Sequence, residues 1–85
     1  FFLMYTMNPA HSAHCITPYE VAAGASPDNT HIRKSTPEGA EIFKSQVRYM
    51  DALVGRIIDT VEAQGLSEDT IIIYTSDNGT TSSAK

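Results

Sequence analysis

The hydrophobic positions divide the chain into two short apolar runs separated by a long irregular stretch and an amphipathic segment. Residues 1–7 are aromatic and apolar, and residues 71–76 are rich in β-branched side chains without alternation. Such runs are typical of strands that are covered on both faces. Because Asn8-Pro9 follows the first run directly, we expect a turn there. The pattern therefore predicts one buried strand at each place.

Residues 37–64 carry the pattern of one long amphipathic helix. Apolar side chains recur there at intervals of three and four residues, which places them on one helical face. They are Phe43, Val47, Met50, Val54, Ile57, Ile58 and Val61. Thr36 before Pro37 is a typical helix start, and Gly65 is a typical residue just beyond a helix end. Since glycine costs about 1 kcal/mol relative to alanine within a helix, Gly55 suggests close packing against a sheet.

A strand, a crossover helix and a second strand form a βαβ unit, so the predicted fold class is α/β. We expect the two strands to be parallel in a mostly parallel sheet that is flanked by helices. Residues 8–35 form a long irregular connection, a kind of segment that usually carries function, with a short helical turn indicated around residues 19–23. Because the sequence opens inside an apolar run and stops in a Ser/Thr-rich loop, we expect an internal part of a larger domain, with the sheet incomplete.

Composition narrows the function classes. The chain has 85 residues, of which 41% are hydrophobic and 19% charged, as in globular rather than disordered proteins. No apolar run approaches the roughly 18–20 residues of a membrane-spanning helix. A net charge of −4 with scattered basic residues argues against nucleic-acid binding. The single cysteine excludes an internal disulfide and a multi-cysteine zinc site.

Polar side chains follow both predicted strands. Residues 8–11 come after the first strand, and Asp77-Asn78-Gly79 comes after the second. Since ligands gather beyond the carboxyl ends of parallel strands, both clusters are expected at the same edge of the sheet. Adjacent carboxylate and amide oxygens suit Ca²⁺ or Mg²⁺. An ordinary Asx turn is the alternative interpretation of the same residues.

Other candidate groups are less specific. His11 and His14 lie in the loop after the first strand, where a histidine can act as a general acid or bind an anion, the alternative being a solvated side chain. Lys85 can contact an anionic oxygen, although a lysine in such a place is more often simply solvated. Cys15 lacks an activating cluster beyond His14, which favours an unreactive thiol over a nucleophile.

Taken together, these stretches resemble the type I sulfatase family, a branch of the alkaline phosphatase superfamily. Phe1-Phe2-Leu3-Met4-Tyr5 leading to Asn8-Pro9-Ala10-His11 resembles the family's strand and its Asn-Ala-Pro-His turn. Residues 47–58 are similar to its long crossover helix. Residues 65–79 closely match its turn, strand and metal-binding loop. The resemblance implies an alkaline phosphatase-like sandwich of which this chain is one part.

The resemblance also implies roles for particular residues. Asp77 and Asn78 would be two ligands of one active-site Ca²⁺. His11 would hydrogen-bond or protonate the sulfate ester, with His14 as the alternative for that role, and Lys85 would hold the sulfate oxygens. The implied substrate is a small sulfate ester or a sulfated glycan, and export from the cytoplasm fits the family.

The chain departs from the family in one decisive respect. The family nucleophile is a formylglycine made from the Cys or Ser of a Cys/Ser-x-Pro-x-Arg motif, and two further aspartates complete the metal site; neither feature occurs here. The run Cys15-Ile16-Thr17-Pro18 has the wrong spacing. We therefore expect half a site that is inactive alone. Two alternatives remain: a phosphate or phosphonate ester hydrolase of the same superfamily, in which a His usually replaces Asn78, and a non-catalytic fragment.

Overall fold

A computed structural model of the chain describes residues 1–11, 15–26 and 37–79. Within these ranges the regular elements are the short helix α1 (Pro18–Ala22), the long helix α2 (Pro37–Ala63) and a single 3₁₀ turn at Ser67–Asp69. Helix α2 covers the segment where the apolar spacing predicts a helix, and α1 covers most of the predicted turn. In the described part of the chain, neither helix is long and apolar enough to cross a membrane.

The carboxyl end of α2 is closed by backbone hydrogen bonds that glycine makes possible. The Gly65 amide donates to the Glu62 carbonyl at 2.8 Å, and the Leu66 amide donates to the Val61 carbonyl at 3.1 Å. Gly65 has a φ of 69°, so this pair of bonds is a Schellman motif with glycine in its left-handed position. The motif ends the helix sharply and directs the chain away from its axis.

The start of the chain lies beside the carboxyl half of α2. Phe1 and Leu3 form one side of an apolar groove of about 230 Å³. The other side consists of Ile57, Thr60, Val61, Gln64 and Leu66. Part of the predicted apolar face of α2 therefore faces the first apolar run across this groove.

The two apolar runs do not pair as strands within the described residues. Phe2 and Ile71 are each 89% exposed. The radius of gyration is 15.4 Å, against about 12 Å for a compact domain of this length. Much apolar surface is thus uncovered. The parallel sheet, the α/β class and the alkaline phosphatase-like sandwich remain predictions.

The most deeply buried stripe of α2 is not the one that the apolar pattern indicates. Its buried residues are Gly39, Ile42, Ser45 and Gln46, which recur at helical spacing along the amino half. On the predicted face, Val47 is 42% exposed and Ile58 41%. The reason is that the segment before and within α1 packs against the amino half of α2, whereas the described residues place no sheet on the apolar face.

Gly55 was expected to mark a close approach to a sheet. Apart from the adjoining backbone of the helix itself, no described atom lies within 4 Å of the place where a Cβ on this residue would stand. The described residues therefore do not form the close contact that the glycine suggested, and an alanine would fit there without a clash.

Candidate functional site

His11 is held at the end of a strained turn. Its backbone amide donates to the Asn8 carbonyl at 3.3 Å, which closes a four-residue turn with Pro9 and Ala10 in the middle. Ala10 has a φ of 71°, a left-handed conformation that costs a residue with a Cβ about 1–2 kcal/mol. Backbone strain of this kind is often found where a side chain must be placed for function. The His11 side chain is exposed.

Asp77 and Asn78 form a bend directly after the second apolar run. The Ser76 hydroxyl donates to the Asn78 carbonyl at 2.6 Å, which bends the backbone at this point. Both side chains are exposed. Among the hydrogen bonds and ion pairs of the described residues, none involves the Asp77 carboxylate or the Asn78 side-chain amide. The bend thus presents two adjacent oxygen donors to solvent.

This donor set fits a hard divalent cation chemically but is not a complete site. Carboxylate and amide oxygens are ligands that Ca²⁺ prefers, and Ca²⁺ takes six to eight of them. Across residues 1–11, 15–26 and 37–79, no cluster of three or more His, Cys, Asp or Glu side chains is able to hold a metal ion. Asp77 and Asn78 could therefore hold calcium only together with ligands from elsewhere.

A buried polar cluster joins the loop after His11 to α2. We call it the clasp and define it as Thr17, Glu20, Ser45, Gln46 and the carbonyl of Cys15. The Thr17 and Ser45 hydroxyl oxygens lie 3.1 Å apart, within hydrogen-bonding distance. The Gln46 side-chain Nε2 donates to the Cys15 carbonyl at 2.8 Å. These two bonds connect residues 28 and 31 positions apart in sequence.

Thr17 also organises the start of α1. Its hydroxyl accepts from the Tyr19 amide at 3.2 Å. Its backbone amide and its hydroxyl both donate to the Glu20 carboxylate at 2.6 Å, which makes a capping box. Tyr19 then meets Tyr49 of α2 edge to face, with ring centroids 5.8 Å apart. Helix α1 is therefore fixed at its amino end to the same side of α2 as the clasp.

The clasp alters the ionisation of Glu20. Partial burial raises the pKa of its carboxyl group, but hydrogen bonds from Ser45 and Thr17 favour the charged form and outweigh the burial. The net pKa of Glu20 lies below its ordinary value of 4.5. Glu20 therefore remains a carboxylate, and an acceptor in the clasp, even in mildly acidic solution.

The sequence carried a signal for only part of this cluster. Thr17-Pro18-Tyr19-Glu20 has the spacing of a capping box with proline in the first turn, which is a readable helix start. Ser45 and Gln46 gave no such signal, because polar residues within a helix usually face solvent. Of the predicted site residues, His11, Asp77 and Asn78 lie within the described ranges, whereas His14 and Lys85 lie outside them.

In a comparison with protein-family models, the chain matches the sulfatase model over residues 1–84. This match spans nearly the whole chain, including the turn at His11, helix α2 and the bend at Asp77. No solved structure matches the chain.

Proposed function

Since the chain belongs to the sulfatase family, we propose that it supplies part of the active site of a sulfuric ester hydrolase. In this proposal Asp77 and Asn78 are calcium ligands, and His11 and Lys85 contact the sulfate group. The nucleophile and the remaining metal ligands come from a part of the catalytic domain other than these 85 residues, because the chain has no Cys/Ser-x-Pro-x-Arg motif.

The observation that carries the proposal is the state of the Asp77-Asn78 bend. A carboxylate and an amide oxygen stand next to each other, exposed, after an apolar run, and the carboxylate has no counter-ion among the described residues. The bend therefore offers a charged and a neutral oxygen ligand side by side, and the family match covers it. A calcium ion would neutralise it and take the amide oxygen as a second ligand.

Each of the four residues then has a definite task. When bound, calcium would offset the negative charge of the sulfate oxygens, and a formylglycine hydroxyl would attack sulfur. Asp77 supplies negative charge to hold the cation, and Asn78 supplies a neutral oxygen that keeps the site hard. Lys85 binds a sulfate oxygen by charge. His11 donates a proton to the oxygen of the leaving alcohol as the S–O bond breaks.

The test uses Asp77→Asn in the full-length protein. This change keeps the size of the side chain and removes the charge, so bound calcium and hydrolysis of para-nitrophenyl sulfate should both fall to background. Asp69→Asn is the matched control, because Asp69 is an exposed aspartate in the nearby 3₁₀ turn. It should leave both quantities unchanged.

Three results would contradict the assignment. Calcium content that stays near the wild-type level in Asp77→Asn would exclude Asp77 as a ligand. Wild-type protein that hydrolyses para-nitrophenyl phosphate much faster than the sulfate would move the function to phosphate ester hydrolysis. Wild-type protein inactive on both esters would favour a non-catalytic role.

A further inference from the structure

We propose that Ser45 and Gln46 are positioning residues that hold the loop carrying His11 against helix α2. The inference rests on the proposed function for the role of His11, but the contact itself stands on the structure alone. Neither residue belongs to the Asp77-Asn78 bend or to the turn at His11. Both act on the loop at residues 15–17, through one bond to its backbone and one to a side chain.

A buried glutamine at position 46 costs free energy of folding. It is only 5% exposed, and its Oε1 has no hydrogen-bond partner in the described structure. The orientation of the amide is fixed, since only its nitrogen can donate to the Cys15 carbonyl. A buried acceptor without a partner costs about 1–3 kcal/mol, which cancels or exceeds the gain from the one bond that Nε2 makes. Stability therefore does not explain this glutamine.

The remaining role of the glutamine is to fix the position of the loop. Its Nε2 binds the backbone at Cys15, and Ser45 binds the side chain of Thr17, so the loop is held at two points separated by one residue. A local departure from stable packing that fixes a chain segment is typical of functional sites.

The clasp is close enough along the chain to restrain His11. Four residue steps separate His11 from Cys15, so their Cα atoms are at most about 14 Å apart. On its other side His11 is held by the strained turn with Ala10 at a φ of 71°. The histidine therefore lies between two fixed points, one on each side of it in sequence.

Gln46→Met separates positioning from stability. Methionine has a similar length and suits a buried helical position, and the change removes the unpartnered oxygen together with the donor. Removing the unpartnered oxygen stabilises the fold, and removing the hydrogen bond from Nε2 destabilises it. Because the two effects offset each other, we expect little change in the free energy of unfolding. Release of the loop should still lower kcat for para-nitrophenyl sulfate by tenfold or more, since displacements near 1 Å can cost about a hundredfold in rate. KM should change less, because Lys85 and the metal ligands are untouched.

The experiment combines these kinetics with hydrogen–deuterium exchange of the full-length protein. Gln46→Met and Ser45→Ala should both raise exchange in peptides covering residues 8–17 and leave residues 47–62 unchanged. Gln64→Met and Thr60→Val are the matched controls. Both residues are exposed, Thr60 within the last turns of α2 and Gln64 directly after its end. The Thr60 hydroxyl bonds only within the helix, to the Arg56 carbonyl at 2.7 Å. The controls should leave exchange and kcat as in the wild type.

Each outcome either supports or overturns the positioning role of Ser45 and Gln46. Unchanged exchange over residues 8–17 in both clasp variants overturns the proposal, and so does raised exchange with unchanged kcat. Raised exchange with a lower kcat and unchanged stability supports it. Wild-type protein that does not hydrolyse sulfate esters overturns the proposed function instead, and the exchange data alone then show whether the clasp holds the loop.

Discussion

Two glycines at the carboxyl half of α2 should respond in opposite directions to the same substitution. Gly55 lies within the helix, and no described atom outside the adjoining helix backbone lies within 4 Å of a Cβ placed on it. Gly65 lies just beyond the helix end with a φ of 69°, and a Cβ there also meets no atom within 4 Å. Sterics therefore contribute at neither position, and only the backbone preference of alanine differs between them.

The magnitudes follow from that preference. At Gly55, alanine favours the helical conformation by about 1 kcal/mol relative to glycine. At Gly65, the left-handed conformation costs alanine about 1–2 kcal/mol, of which the lower entropy of the unfolded chain returns about 0.4–1 kcal/mol. Gly55→Ala should thus stabilise the helix by about 1 kcal/mol. Gly65→Ala should destabilise its end by about 1 kcal/mol.

The assay is thermal and urea unfolding of the 85-residue chain, followed by far-ultraviolet circular dichroism. A change of 1 kcal/mol shifts the midpoint temperature by about 4–8 °C in a chain of this size. Ala52→Gly is the reverse control, because Ala52 is an exposed position on the same helix. This substitution should lower the free energy of unfolding by about as much as Gly55→Ala raises it. If Gly55→Ala lowers the midpoint, or if Gly65→Ala leaves it unchanged, the structural argument is wrong.

The same Gly55→Ala variant also tests the predicted sheet. In the full-length protein, a sheet packed against this face would leave no room for a methyl group, and the substitution would then destabilise. A gain of stability in both the chain and the full-length protein would show that nothing packs closely at Gly55. If Gly55→Ala stabilises the 85-residue chain but destabilises the full-length protein, the result would support the α/β prediction.

Two further predictions concern the loop and the clasp. Ala10→Gly should stabilise the protein by about 0.5–1 kcal/mol, because relief of the left-handed strain exceeds the entropy that glycine adds to the unfolded chain; a lower urea midpoint would contradict this. The pKa of Glu20 is lower in the folded protein than its ordinary 4.5, so its contribution to stability is present above about pH 4.5 and is lost as the pH falls through the folded value. Glu20→Gln should therefore flatten the loss of stability below pH 4.5, and a pH profile identical to that of the wild type would refute the role of this carboxylate.

The sequence was sufficient for the local features of the chain. The spacing of apolar residues indicated a helix over 37–64, and the helix at Pro37–Ala63 ends in the Schellman motif for which Gly65 is suited. Helix periodicity and glycine at a left-handed position depend on neighbours in sequence, so they can be recognised without a fold. The motif around Asp77-Asn78 likewise pointed to the sulfatase family, to which the family model then assigned residues 1–84.

The clasp could be found only in the tertiary structure. Whether Ser45 and Gln46 face solvent or a partner depends on where residues 15–17 pass, and that path depends on contacts between positions about thirty residues apart. The hydrophobic pattern of a sequence indicates which side chains prefer to avoid water. Polar side chains that are buried in a hydrogen-bonded contact do not follow that pattern. Sequence thus determined the helix, its end and the family, whereas tertiary packing decided which face of the helix is buried and what holds the His11 loop.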